Sequence, residues 1–317
     1  MDQIHISIVV PLYNEEAVFD KLIERLVNVI DTTDFLCEVI LINDGSKDKT
    51  PFLIEELCKK DKRFTGVLLS RNHGHQLAVS SGLYYVRGTE GAMIIDGDLQ
   101  DPPELINDFY ALMKQGYDVI YAVRKNRKES ALKKLAYWMY YRLQQKISSF
   151  TIPIDSGDFS MISRRVVDTM NSMPEQSRYL RGMRSWVGFK QRAFEYDRDE
   201  RQAGETKYSW KKLFELAFNG IFNFSDFPVR TISKLGLFTI LLSIAYFIYI
   251  IYNKIMYHNV PQGFTTLIFA IILFSGVQLL SLGLIGEYVL RIYNQVRNRP
   301  LFIIDKVIQE GEIKNKK

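Results

Sequence analysis

Apolar positions follow two regimes along the 317 residues. Up to about residue 125, short apolar runs alternate with stretches in which apolar residues recur every three or four positions. Residues 6–11, 38–42, 66–69, 92–95 and 118–122 read as strands, and 15–30, 50–60, 76–86 and 103–114 as helices. This alternation predicts an α/β fold, a mainly parallel sheet with helices on both faces. Two later stretches are amphipathic. Leu132, Leu135, Ala136, Met139, Tyr140, Leu143 and Ile147 share one helical face, which suits packing on the core. Trp210, Leu213, Phe214, Ala217, Phe218, Ile221 and Phe222 share another, with Lys211 and Lys212 opposite, and this helix suits either a core or a membrane interface.

The pattern changes near Arg230. Residues 235–252 and 263–286 contain no charged side chain. Each approaches the ~20 residues needed to cross a hydrocarbon core as a helix. A pair of buried helices in a soluble domain would look similar, but two such runs joined by a short loop predict a transmembrane hairpin, with spans at about 235–257 and 263–290. Tyr246, Tyr249, Tyr252 and Tyr257 suit an interface belt. Arg230 and Lys234 precede the first span, and Arg291, Arg297, Arg299 and Lys306 follow the second. Positive residues stay inside, so both termini are expected in the cytoplasm, with the protein at the inner (plasma) membrane. The expected division is a catalytic domain at 1–208, an interfacial helix and linker at 209–230, the hairpin within 231–292 and a cytoplasmic tail at 293–317.

Composition narrows the function. Apolar residues make up 47% of the chain, enough for a sizeable core. A net charge of +5 with no dense basic block argues against nucleic acid as a partner. Cys37 and Cys58 lack metal-ligand spacing and read as reduced, structural residues. Residues 1–5 include Asp2 and lead straight into a strand, so no signal peptide is expected. The chain leaves room for a homo-oligomer.

The candidate chemistry lies at strand ends. Asp96-Gly97-Asp98-Leu99-Gln100-Asp101-Pro102-Pro103 follows the fourth run. Alternate residues of an extended chain share a side, so Asp96 and Asp98 can face one cation. Hard oxygen donors suit Mg²⁺ or Mn²⁺, which commonly bind substrate phosphates as well. As a bare triplet this is equally an ordinary polar turn; the octapeptide is more specific. Pro11-Leu12-Tyr13-Asn14-Glu15-Glu16 ends the first strand and can surround a base, or can simply cap a helix with Asn14. Asn43-Asp44-Gly45-Ser46 ends the second, where Asp44 can accept from a base or ribose. Arg124, Lys125, Arg127 and Lys128 form either a phosphate clamp or a solvated loop. His73 and His75, flanking Gly74, read as structural.

These segments carry a resemblance. PLYNEE, NDGSKDKT, LSRNHGHQLAVSSGL, DGDLQDPPELI, the DSGDF of 155–159 and the AGETKYSW of 203–210 resemble family-two glycosyltransferases of GT-A fold. Within that family they resemble the polyprenyl-phosphate branch, which includes dolichol-phosphate mannose synthase and bacterial bactoprenol glucosyltransferases. The resemblance implies that Pro11, Tyr13, Asn14, Glu15, Asp44 and Ser46 hold the nucleotide, with Asp96 reaching the donor through the metal. It implies that Asp96, Asp98 and Gln100 hold the metal and that Asp158 lies near the reaction centre; Asp98 and Asp158 are expected to serve the reaction, with Arg127 of the basic run as the phosphate contact. Arg201, Lys207 and Tyr208 would close over donor and acceptor. Asn43 replaces the first acid of the usual DDGS, a variant the bacterial branch often shows.

The implied reaction is inverting transfer of a hexose, glucose from a UDP-sugar donor first, to a polyprenyl phosphate acceptor at the bilayer. N-acetylglucosamine, galactose, an aminoarabinose derivative or mannose are alternatives. A processive polysaccharide synthase would carry a Gln-x-x-Arg-Trp segment, whereas Arg184-Ser185-Trp186 stands in that region here. A non-catalytic nucleotide-sugar sensor is hard to reconcile with intact Asp96, Asp98 and Gln100. A phosphate monoester loses its second proton near pH ~6, so the acceptor needs no strong general base. Asp158 is therefore expected to orient rather than to abstract a proton.

Overall fold

A computed structural model describes residues 3–125, 156–197, 227–257 and 263–314. Its elements run β1 (Ile6–Leu12), α1 (Phe19–Thr32), β2 (Cys37–Asn43), α2 (Thr50–Lys60), β3 (Phe64–Leu69), α3 (His75–Tyr84) and β4 (Gly91–Ile94). A 3₁₀ turn (Pro103–Leu105), α4 (Ile106–Lys114), β5 (Val119–Arg124), β6 (Ser156–Ser163), α5 (Arg164–Ser172), α6 (Leu180–Trp186) and β7 (Gln191–Tyr196) follow. Then come α7 (Phe227–Tyr257), α8 (Phe264–Val296), β8 (Ile304–Gln309) and β9 (Glu312–Lys314).

The described strands form one sheet in the order β7-β5-β6-β4-β1-β2-β3-β8-β9. Its centre, β4-β1-β2-β3, is parallel, as the alternating pattern predicts. β1, β2 and β3 are buried along their whole length, which is why they read as continuous apolar runs. The expectation of a mainly parallel sheet needs correcting. β6 inserts antiparallel between β4 and β5, and β8 and β9 extend the other side antiparallel, so the sheet is mixed. These strands escape the pattern because they are not apolar runs. β8 buries only Val307 and Ile308, and β6 alternates small polar residues with Phe159, Met161 and Ile162.

Helix α1 begins at Phe19, not at Glu15. Asn14 is therefore not its N-cap; residues 14–16 bond instead to the loop after β2. Leu22 and Leu26 are fully buried against the sheet, which contributes about 1.5–3 kcal/mol each. Helix α3 lies close on the opposite face. A Cβ at Gly82 would meet Val9 Cγ1 at 2.6 Å and Ile42 Cδ1 at 2.7 Å. That close approach brings the N-terminal end of α3, with His75 and Gln76, over the strand ends.

The described chain divides into two units, one containing the sheet and its covering helices, the other containing α7 and α8. Residues 299–314, which follow α8, belong to the sheet unit. In the second unit, large apolar side chains such as Phe247, Ile255, Leu279 and Val296 are exposed. Among the described residues, the stretch Leu273–Val296 is long and apolar enough to cross a membrane, by length and composition; Leu241–Asn253 is a shorter apolar helix segment.

Candidate active site

Register sets three polar strand ends at one level. Leu12 pairs with Asn43 across β1 and β2, and Val9 pairs with Ile94 across β1 and β4. The chain therefore leaves the sheet at residues 13–16, 44–50 and 96–101 along one edge, where open α/β sheets place their ligands.

The first two loops are bonded together. Asn14, at φ 55°, donates its amide to Ser46 Oγ at 3.0 Å, and its Oδ1 accepts from Lys47 N at 2.8 Å. Glu15 N donates to Thr50 Oγ1 and Glu16 N to Asp48 Oδ2, both at 3.1 Å. Gly45, at φ 63°, allows close contact with the loop after β3, since a Cβ there would lie 2.3 Å from the Arg71 carbonyl carbon. Asp44 is buried and accepts from His73 N at 2.7 Å and Gly74 N at 3.0 Å. Burial pushes its carboxyl up, against those two amides. Asn14, Asp44 and Ser46, expected at the nucleotide, thus tie these loops together, with Pro11, Tyr13 and Glu15 on the same stretch of chain.

The third loop is strained. Leu99 is buried at φ 60°, a left-handed conformation that costs a branched residue about 1–3 kcal/mol. Arg25 holds it, donating Nη1 to Leu99 O at 3.2 Å while pairing with Glu104 at 2.7 and 2.9 Å. Asp101, buried behind the turn, accepts from Tyr196 Oη at 2.5 Å. Gln100 N donates to Asp98 Oδ1 at 3.2 Å, closing the turn around the second aspartate.

β6 completes the site. Ile94 pairs with Ser160, and continuing that antiparallel register by two residues sets Asp96 opposite Asp158. His75 Nε2 stands between them, 3.6 Å from Asp96 Oδ1 and 3.3 Å from Asp158 Oδ2. Arg181 grips Asp158 with Nε to Oδ1 at 2.8 Å and Nη2 to Oδ2 at 3.2 Å. Gln76 Nε2 donates to Asp158 Oδ2 at 3.2 Å, and its Oε1 accepts from Leu180 N at 2.8 Å. Burial works against the Asp158 carboxylate, but Arg181 and His75 outweigh it and hold the group well below the usual range. Burial likewise opposes the His75 imidazolium, yet Asp96 and Asp158 lift it to about 9. Asp96 moves the other way. Burial of Oδ1 pushes it up to about 6, with His75 opposing and Asp101, Asp158 and Asp98 adding repulsion.

Asp96 Oδ1 is buried with no hydrogen-bond partner among the described residues. A buried carboxylate oxygen that makes no hydrogen bond and has only the longer His75 ion pair at 3.6 Å among the described residues, with Asp98 two residues on, fits a hard divalent cation. No cluster of three or more metal-ligating His, Cys, Asp or Glu occurs among the described residues. Mg²⁺ commonly takes one or two carboxylates plus waters and substrate phosphates, so a two-aspartate turn is enough.

His75, read from the sequence as structural, belongs to this network through Asp96 and Asp158. Gln76, Arg181 and Arg184 were not legible as site residues either. Gln76 lies in the LSRNHGHQ segment and Arg184 in Arg184-Ser185-Trp186, both of which stand out in the sequence, whereas Arg181 lies in neither. Arg124 ends β5, and Lys125 N donates to Tyr196 O at 3.0 Å. Arg127, Lys128, Arg201, Lys207 and Tyr208, and the amphipathic stretches 132–147 and 210–222, lie outside the described residues.

Residues 7–170, just over half of the chain, match the family described as Glycosyl transferase family 2. The chain belongs to that family. This glycosyltransferase is 44% identical over 304 residues to the Bacillus subtilis (strain 168) protein named Uncharacterized glycosyltransferase YkcC, covering 96% of this chain and 94% of that one. It is 36% identical over 302 residues to the Bactoprenol glucosyl transferase of Shigella phage SfII, covering 95% and 97%. Among solved structures, S. aureus TarS 1-349 in complex with UDP-GlcNAc matches 70% of this chain and 68% of that one, with a TM-score of 0.47 at 17% identity. A family-two enzyme with this mixed sheet and its helices has the GT-A glycosyltransferase fold.

Proposed function

We propose that this glycosyltransferase moves a hexose, glucose from UDP-glucose, onto polyprenyl phosphate at the inner leaflet, with inversion at the anomeric carbon. The observation that carries this reading is the state of Asp158. Its two oxygens face donors from Arg181, Gln76 and His75. Such a carboxylate is a poor proton acceptor. A hydroxyl nucleophile would need one, whereas a phosphate monoester is largely dianionic above pH ~6 and attacks without losing a proton. The Shigella phage relative, named a bactoprenol glucosyl transferase, supports the same acceptor class.

Asp96 and Asp98, with Gln100 beside them, would hold Mg²⁺ or Mn²⁺. A divalent ion held there would supply charge to offset that on the leaving nucleoside diphosphate. The bonded loops at 13–16 and 44–50 hold the uridine, with Asp44 fixing the loop after β3. Asp158 holds His75 and Arg181 in place at the centre of the site. Arg127, Arg201, Lys207 and Tyr208 would close over donor and acceptor. α7 and α8 form the membrane hairpin, with the exposed apolar side chains facing lipid and the sheet unit in the cytoplasm. The test uses full-length protein with undecaprenyl phosphate, Mg²⁺ or Mn²⁺ and a panel of nucleotide sugars. Labelled lipid from UDP-glucose is expected; labelled lipid from a different donor alone would replace the sugar, and none from any donor would overturn the reading.

A further inference from the structure

The short helix α6 brings two arginines to the Asp158 side of the site. Arg181 is already oriented, held by both oxygens of Asp158. Arg184, three residues on, is only 3% exposed. Its Nη2 donates to Gly157 O at 3.1 Å, on the residue next to Asp158. Its guanidinium carbon lies 5.8 Å from the centre of the Tyr121 ring. Nε is buried with no hydrogen-bond partner among the described residues. No carboxylate forms an ion pair with Arg184 among those residues, and Asp158 pairs with Arg181 instead.

A buried guanidinium with no direct ion pair among the described residues is costly, and its N–H donors suit an anion. Burial draws the Arg184 pKa down to about 10, against the pull of Asp158, so the group keeps its charge at neutral pH. The carboxylates that suit a metal and a diphosphate are on the Asp96–Asp98 turn after β4, whereas Arg181 and Arg184 bond to Asp158 and Gly157 on β6.

We propose that Arg181 and Arg184 form the subsite for the acceptor's phosphate, a phosphate monoester dianion brought in beside Asp158. This rests on the acceptor reading given above. Arg184 supplies unspent, directional donors in a dry setting, where charge-assisted hydrogen bonds are strong. Arg181, fixed by Asp158 and by the Gln76 bridge to Leu180 N, presents its charge in one place.

The test compares Arg181→Lys and Arg184→Lys with wild type, all full-length, in steady-state kinetics with each substrate varied. Lysine keeps the charge and most of the stem but loses the planar fork. The acceptor KM is expected to rise on the order of 10- to 100-fold, the size of one charged hydrogen bond, with the donor KM unchanged. Inorganic phosphate should inhibit wild type competitively against the acceptor, and inhibit the variants correspondingly less. A rise in donor KM alone, or an unchanged acceptor KM in variants that keep the wild-type Tm, overturns the proposal. If wild type transfers nothing to polyprenyl phosphate, the acceptor reading fails separately. The subsite is then judged by the rise in Tm with inorganic phosphate, which must be present in wild type and lost in both variants. Its absence in wild type, or its survival in the variants, overturns the proposal.

Discussion

Asp158→Asn separates a positioning carboxylate from a general base. The substitution removes one negative charge from a side chain that is 7% exposed and bonded to Arg181 at 2.8 and 3.2 Å. Breaking a buried pair costs about 3–5 kcal/mol. Arg181 is 32% exposed, and asparagine keeps one acceptor oxygen, so the lower end of that range applies. At about 3 kcal/mol, a domain of this size loses roughly 6–12 °C in Tm. Turnover falls as well, because His75 and Arg181 lose their orientation, but the shape of the pH–rate profile should survive. The rising limb of kcat/KM belongs to the second ionisation of the acceptor phosphate, near pH ~6, and not to the enzyme. The assay is kcat/KM for labelled lipid formation from pH 5 to 9, with wild type and variant measured below the variant's Tm. Loss of the rising limb in Asp158→Asn, together with recovery of rate by added formate or azide, would identify Asp158 as a base and refute the reasoning.

Three further outcomes follow from other parts of the molecule. Asp96→Asn and Asp98→Asn should each abolish the Mg²⁺-dependent part of UDP binding measured by calorimetry; metal-enhanced binding that survives both would place the ion elsewhere. Ile308→Ala, at a fully buried position of β8, should cost about 2–5 kcal/mol, read as a fall in Tm; an unchanged Tm would mean that the residues after α8 are peripheral to the fold. Arg165 holds the Asp118 carboxyl below its ordinary value, with Ser163 Oγ adding a bond at 3.0 Å. A depressed folded pKa stabilises the protein above the unfolded value of ~3.9 and is lost as pH falls through the folded one. Wild type should therefore be more urea-resistant than Asp118→Asn at pH 6, and the gap should close on acidification below pH ~4; a gap that stays constant contradicts the linkage.

The parallel half of the sheet is legible in the sequence because β1, β2 and β3 are buried on both faces and so must be apolar throughout. The polar residues that break each run then mark the ligand edge, which is how Asp44, Asp96 and Asp98 stand out. The antiparallel strands are illegible for the converse reason. β6 is written SGDFSMIS and β8 IDKVIQ, and neither carries a run that distinguishes it from a loop. Missing β6 hides the centre of the site. His75 flanks a glycine at the start of a helix and looks unengaged until β6 folds Asp158 opposite Asp96. Arg181 and Arg184 go unread as site residues, because nothing local shows that the short helix α6 turns them toward Asp158 and Gly157. The strain at Leu99 is equally silent, since only tertiary contacts with Arg25 and the core hold a leucine at φ 60°.

Asp158, held by Arg181, Gln76 and His75, is a positioning carboxylate and not a general base, so the acceptor must arrive already ionised. Competition between undecaprenyl phosphate and undecaprenol, the same lipid with a hydroxyl in place of the phosphate, tests it most directly. With UDP-glucose and Mg²⁺ at pH 7.5, labelled glucose should appear on the phosphate alone. Transfer to the free alcohol at a comparable kcat/KM would contradict the account.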